Sequence, residues 1–156
     1  MTHKIDHDKF SKFYDKWGGT RFPLPTEGDL RLIESAIKAR LPDEYREFIL
    51  RFNGGFFDDP PVPPNESCPG FTIAYLHGIC ATHRCAELGS DVGLFDNNDP
   101  ALILPIGGTP GGHLLMMNVG EDADHGVIWL RTVSGTSHFV ADGFMDIFDL
   151  FALESA

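Results

Sequence analysis

The stretch HGICATHRC, residues 77–85, gathers His77, Cys80, His83 and Cys85, with Cys68 upstream. Imidazole and thiolate are zinc ligands. The spacing H-x2-C-x2-H-x-C fits no structural zinc pattern, and no C-x-x-C pair accompanies it. A strand followed by a short helix over residues 80–90 would point the four side chains apart, so Cys80 and Cys85 read as small buried hydrophobes. GGTPGG, residues 107–112, has the glycines of a phosphate cradle, but a P-loop ends in Gly-Lys-Ser/Thr. Here His113 follows, and no Lys occurs after Lys38. A turn between two strands is the better reading. EDADHG, residues 121–126, clusters acids without the register of a calcium loop. His113, His125 and His138 accompany Ser134 and Ser137, but no G-x-S-x-G nucleophile elbow is present. No aromatic-basic pattern for nucleic acid occurs either. The sequence therefore predicts no catalytic residue, no bound metal and no cofactor. A binding surface remains.

Charge says what such a surface would attract. The chain has 156 residues and a net charge of −11. Residues 1–51 carry ten Lys and Arg against nine acids, near +1. Residues 52–156 carry Arg84 and Arg131 against 14 acids, giving −12. That field repels nucleic acid and anionic membrane, and it speeds association with a basic protein. Three cysteines are too few and too odd for a disulfide framework. The N-terminus lacks the apolar core of a signal peptide, and no apolar run reaches the roughly 20 residues of a membrane span. These features predict one soluble cytoplasmic domain over residues 1–156 with reduced thiols.

Positioning falls to helices, then strands. Phe10, Phe13, Tyr14 and Trp17 recur at i, i+3, i+4, i+7, the stripe of an amphipathic helix that Gly18-Gly19 ends. Thr26 and Asp29 suggest a capping box for a second helix, buried through Leu30, Ile33 and Ile37 and running to Arg40. In LPDEYREFILRFNGG, residues 41–55, Pro42 suits the first helical position. Tyr45, Phe48, Ile49 and Phe52 repeat the stripe, and Asn53-Gly54-Gly55 supplies a left-handed cap. FFDDPPVPPNESCPG, residues 56–70, has five prolines and should be an exposed acidic loop. Strands are predicted over 71–76, 101–106, 113–119, 126–133 and 137–141. Asp142 would cap a last helix with Phe144, Ile147, Phe148 and Phe151 inward. The order indicates an α+β fold with a mostly antiparallel sheet.

Together these motifs resemble the SUKH superfamily, which includes the fungal Smi/Knr regulators and many bacterial immunity proteins. The resemblance rests on LPDEYREFILRFNGG, then FTIAYLHGI, then LILPIGGTPGGHLLMMNV, and last GVIWL with FVADGFMDIFDLF, spanning about residues 27–151. His113 stands where the family often has Asn, and WLRT departs from its common Trp-Asp-His ending. The resemblance implies N-terminal helices and a C-terminal helix packed on a curved sheet. It implies a protein that binds proteins and is not an enzyme, commonly by neutralising a cognate toxin, often a nuclease. A regulatory or scaffolding domain without a toxin is the alternative. The family's motif residues are scaffold, so the interface is sought in three acidic loops. These hold Asp58, Asp59 and Glu66; Asp96 and Asp99; and Glu121, Asp122 and Asp124.

Overall fold

The computed structural model describes residues 7–18, 22–58, 60–64, 66, 68, 70–79, 103–120 and 125–150. Three helices come first: α1 (His7–Trp17), α2 (Glu27–Ile37) and α3 (Asp43–Arg51). Four two-residue strands follow: β1 (Gly55–Phe56), β2 (Pro61–Val62), β3 (Phe71–Thr72) and β4 (Tyr75–Leu76). Then come β5 (Ile103–Gly108), β6 (Leu114–Asn118), β7 (Ile128–Arg131), β8 (Ser137–Ala141) and α4 (Phe144–Asp149). A six-stranded sheet runs β1-β4-β5-β6-β7-β8, and β2-β3 form a separate ribbon, with every described pairing antiparallel. The α+β architecture is as the sequence indicates. Register shifts at Pro105/Gly107 and Ile128/Trp129 mark bulges, which bend and twist strands.

One face of the sheet packs on the helices. Leu104, Ile106, Leu115, Met117, Ile128, Leu130 and Val140 join the buried stripes of α1, α3 and α4 in one core. The stripes mesh as rings. Phe10 meets Phe48 and Phe148 edge-on at 5.3 and 5.0 Å, and Tyr14 stacks on Phe52 at 4.8 Å. Such pairs each add about 0.5–1.5 kcal/mol beyond their area burial. The spacing that predicted these helices is therefore the spacing that interlocks them.

The Asn-Gly-Gly junction joins helices to sheet. Asn53 takes the left-handed conformation, φ 55°, that the end of α3 requires. Its buried amide donates to Pro23 O (2.6 Å) and Ile79 O (2.8 Å) and accepts from Ile79 N (2.7 Å). Tyr14 donates its hydroxyl to Gly54 O at 2.5 Å. A Cβ on Gly54 would drive into the carbonyl oxygens of Leu76 and His77, so the backbones touch only because the residue is glycine.

Several boundaries depart from the sequence reading. Helix α2 ends at Ile37, where left-handed Lys38 returns its N–H to Glu34 O, and does not reach Arg40. Pro42 is the residue before α3 and is extended (ψ 144°), one place outside the predicted first turn. Residues 71–76 are not one strand: β3 pairs with the β2 ribbon and β4 with the main sheet. The proline segment is not simply exposed, since Val62 and Cys68 are buried. Asp142 does not cap α4. Gly143 holds that position, and Glu44 of α3 accepts the Met145 N–H at 2.9 Å. The predicted helix over 80–90 and the inward Phe151 lie outside the described residues.

Candidate functional site

Antiparallel register sorts the loops to two ends of the sheet. Gly108, Leu114, Arg131 and Ser137 pair in sequence across β5 to β8 at one end, and Tyr75 of β4 faces Gly108. The segment after β1, the β2–β3 ribbon and the turns 109–113 and 132–136 all leave from this hairpin end. Gly120, His125, Gly126 and the start of α4 lie at the opposite end, where β6 turns into β7 and β8 stops.

Of the eight predicted interface residues, Asp58 and Glu66 are described, and both are exposed; Asp58 follows β1 at the hairpin end, and Glu66 lies between β2 and β3. Asp58 is anchored through its backbone, donating N–H to Trp17 O at 3.0 Å, so its carboxylate is presented from a fixed base. The ribbon behind it is held by Val62 and by Ile73 N donating to Pro60 O at 3.2 Å. Asp59, Asp96, Asp99, Glu121, Asp122 and Asp124 lie outside the described residues. The described flanks of their loops divide between the ends: Asp58 at one, Gly120 and His125 at the other.

The two turns at the hairpin end hold each other. In the first, Thr109 N donates to His113 O (3.0 Å) and His113 N to Thr109 Oγ1 (3.1 Å). In the second, Thr132 N donates to Thr136 O (2.8 Å), and Thr132 Oγ1 lies 2.8 Å from Ser134 Oγ. Between them, Val133 N donates to His113 Nδ1 at 3.1 Å. The predicted glycine turn is thus a hairpin tip, and its His serves as an acceptor for the neighbouring tip.

At the other end, a cleft of about 470 Å3 is lined by Arg40 to Glu44, His125, Gly126 and Asp142 to Phe144. Arg40, Asp43, Glu44 and His125 have partners within the chain. Arg40 pairs with Asp43 at 3.3 Å, Glu44 caps α4, and His125 Nδ1 donates to Gly120 O at 2.9 Å. Carboxylates at helix starts also offset the helix dipoles. Nearby, Arg46 reaches Glu27 and Glu34, and Glu34 also accepts Leu41 N at 2.7 Å. The hydrogen bond from Arg46 holds the Glu27 carboxyl below its ordinary range, while the bond to Glu27 raises the Arg46 guanidinium. Sequence counting treats Arg46 as one more surface cation, whereas it is mostly covered and committed.

For the candidate metal stretch, His77 is fully buried and its Nδ1 donates to Pro105 O at 2.9 Å. Cys68 is buried, which pushes its thiol up toward the protonated form that neither ligates nor attacks. Cys80, His83 and Cys85 lie outside the described residues. Among the described residues, no group of three or more His, Cys, Asp or Glu could hold a metal ion. None of their helices is long and apolar enough to cross a membrane. A family model, the SMI1 / KNR4 family (SUKH-1), matches residues 24–150. No curated protein matches the chain.

Proposed function

Because the chain belongs to the SMI1 / KNR4 family (SUKH-1), we propose that it is a non-catalytic protein-binding domain, an immunity protein that binds and neutralises a basic toxin. The family match carries this reading, and the −12 charge after residue 51 supports it. The domain is taken as residues 1–156. In support, α1 lies ahead of the matched segment, yet its Phe10 and Phe13 belong to the common core.

The contact residues proposed are Asp58, Asp59, Glu66, Asp96, Asp99, Glu121, Asp122 and Asp124. Such charges at the rim of an interface mainly set on-rate and salt dependence. The test is co-expression with the protein encoded by the adjacent reading frame, scored by growth rescue and co-purification. The reading expects rescue by the wild-type chain, with slower, less salt-sensitive association when the eight acids are changed to Lys. An adjacent product that neither inhibits growth nor binds would overturn the immunity role in favour of a regulatory one. Unchanged neutralisation and salt dependence in the charge-reversed chain would overturn the acidic mapping.

A further inference from the structure

The two hairpin tips form a charge-free projection on an acidic protein. Residues 109–114, TPGGHL, and 132–137, TVSGTS, contain no Asp, Glu, Lys or Arg. Pro110, Gly111, Gly112 and residues 133–137 are exposed, and Val133 is 73% exposed. A β-branched apolar residue at a turn contributes nothing to the core, and turn chemistry favours Gly, Asn, Asp or Ser there. Yet its backbone is fixed, because its N–H is held by His113 Nδ1. Its methyl also closes on Gly112, where a Cβ would lie 3.3 Å from Val133 Cγ1.

We propose that the paired tips are the centre of the partner interface, with Val133 entering an apolar pocket on a basic protein. The inference rests on the partner-binding reading above and narrows it to the hairpin end, to which Asp58 belongs and the Gly120 and His125 flanks do not. Interface cores are depleted of charge, while charged groups sit at the rim and steer. Both parts occur at one end of this sheet. The tips are neutral, and Asp58 follows β1 at the same end, where Phe56 pairs with Tyr75 and Tyr75 with Gly108, with Arg131 as a bordering cation. A partner with a neutral pocket and a rim that is basic where it meets Asp58 matches that arrangement and the acidity of residues 52–156. The bond between the tips pre-orders them, so little freedom is lost on binding. His113 is then a positioning residue. Asn in its place can still offer an oxygen to Val133 N–H, while Phe cannot.

The probe is the purified protein of the adjacent reading frame, with association and dissociation followed at low and high salt. We expect Val133→Asn to weaken binding by tenfold or more, mostly through faster dissociation and equally at both salt concentrations. Asp58→Lys should instead slow association, mainly at low salt. His113→Phe should lose affinity and His113→Asn keep it, with all unfolding midpoints unchanged. If the wild type binds and Val133→Asn changes affinity less than twofold, the placement is wrong while the partner-binding reading stands. If the wild type does not bind, both fall.

Discussion

The Asn53 junction and the paired hairpin tips are both turns rich in glycine and hydrogen bonds, but they face opposite ways. At the junction, each amide atom of Asn53 that can bond does so inside the protein, and the Gly54 Cβ position is filled by neighbouring carbonyls. At the tips, the bonds also close internally, but the side chain of Val133 stays in solvent. Gly135 at the same tip has open space where a Cβ would stand. Identical chemistry makes a scaffold when sterics close around it and a presentation platform when they do not. The comparison gives a rule to break: changes at the junction should cost stability, and changes at the tips should cost binding alone.

The largest expected effect is Gly54→Ala. The new methyl clashes with two backbone carbonyls, and φ 73° is already costly for any residue with a Cβ. Neither neighbour is a flexible side chain that could swing away. We expect a loss of about 4 kcal/mol or more, measured by urea unfolding. A loss below about 1 kcal/mol would show that the junction yields, and the rule would fail at its strongest point. Next comes Asn53→Ala, which strands the buried N–H and C=O of Ile79 and the Pro23 carbonyl. Stranded buried groups cost about 1–3 kcal/mol each way, so a loss near 3 kcal/mol is expected. Asn53→Gly should lose less, because glycine restores the left-handed backbone but none of the bonds.

These positions show why some of the fold was legible in the sequence. The helix stripes and Asn-Gly-Gly are local signals, because periodicity and a positive-φ cap are written within one turn of chain. Phe10, Phe13, Tyr45, Phe48 and Phe148 are all buried as their spacing predicts. What failed was set from a distance. Asp142 has the chemistry of an N-cap, but Glu44, 101 residues earlier, takes the Met145 N–H, and no local pattern encodes that. The FTIAYL run is one strand by composition, yet it divides between two sheets because Pro61 and Val62 return to pair with Thr72 and Phe71. The site was hardest to see. The acidic loops are visible as composition, but the division of their described flanks between the two ends follows from strand register. Val133 stands out only once its exposure and its bond to His113 are known.

Glu44 tests the rule at intermediate strength, because it lies at the helix-start end with its carboxylate turned inward. Glu44→Ala removes the acceptor for Met145 N–H, and losing a cap costs about 1 kcal/mol. Glu44→Gln keeps an oxygen and should recover much of that in thermal unfolding, with no change in partner affinity for either variant. Any loss of affinity would mean that the cleft, too, meets a partner.

A smaller effect is expected on acidification. Glu27 has its carboxyl lowered by Arg46, so its stabilisation is present above the unfolded carboxyl value of about 4.3 and fades as pH falls through its lower folded value. Wild type should therefore exceed Glu27→Gln in midpoint at neutral pH, with the gap closing under strong acid. Its partial exposure keeps the gap small. A gap that widened in acid would reverse the assigned sign.

The smallest expected effect is the most informative. Val133→Ser removes an apolar side chain that is already in water, so no cavity forms and little area is returned to solvent. Its backbone N–H still donates to His113, and the Thr132–Thr136 bond that closes the turn is untouched. A polar residue is also better suited to a turn. Stability should stay within about 0.5 kcal/mol of wild type, the usual range for such surface changes, and could rise. If Val133→Ser instead destabilised the chain by as much as Glu44→Ala, the valine would be part of the scaffold. The division between junction and tips would then disappear, since both turns would be built for stability alone.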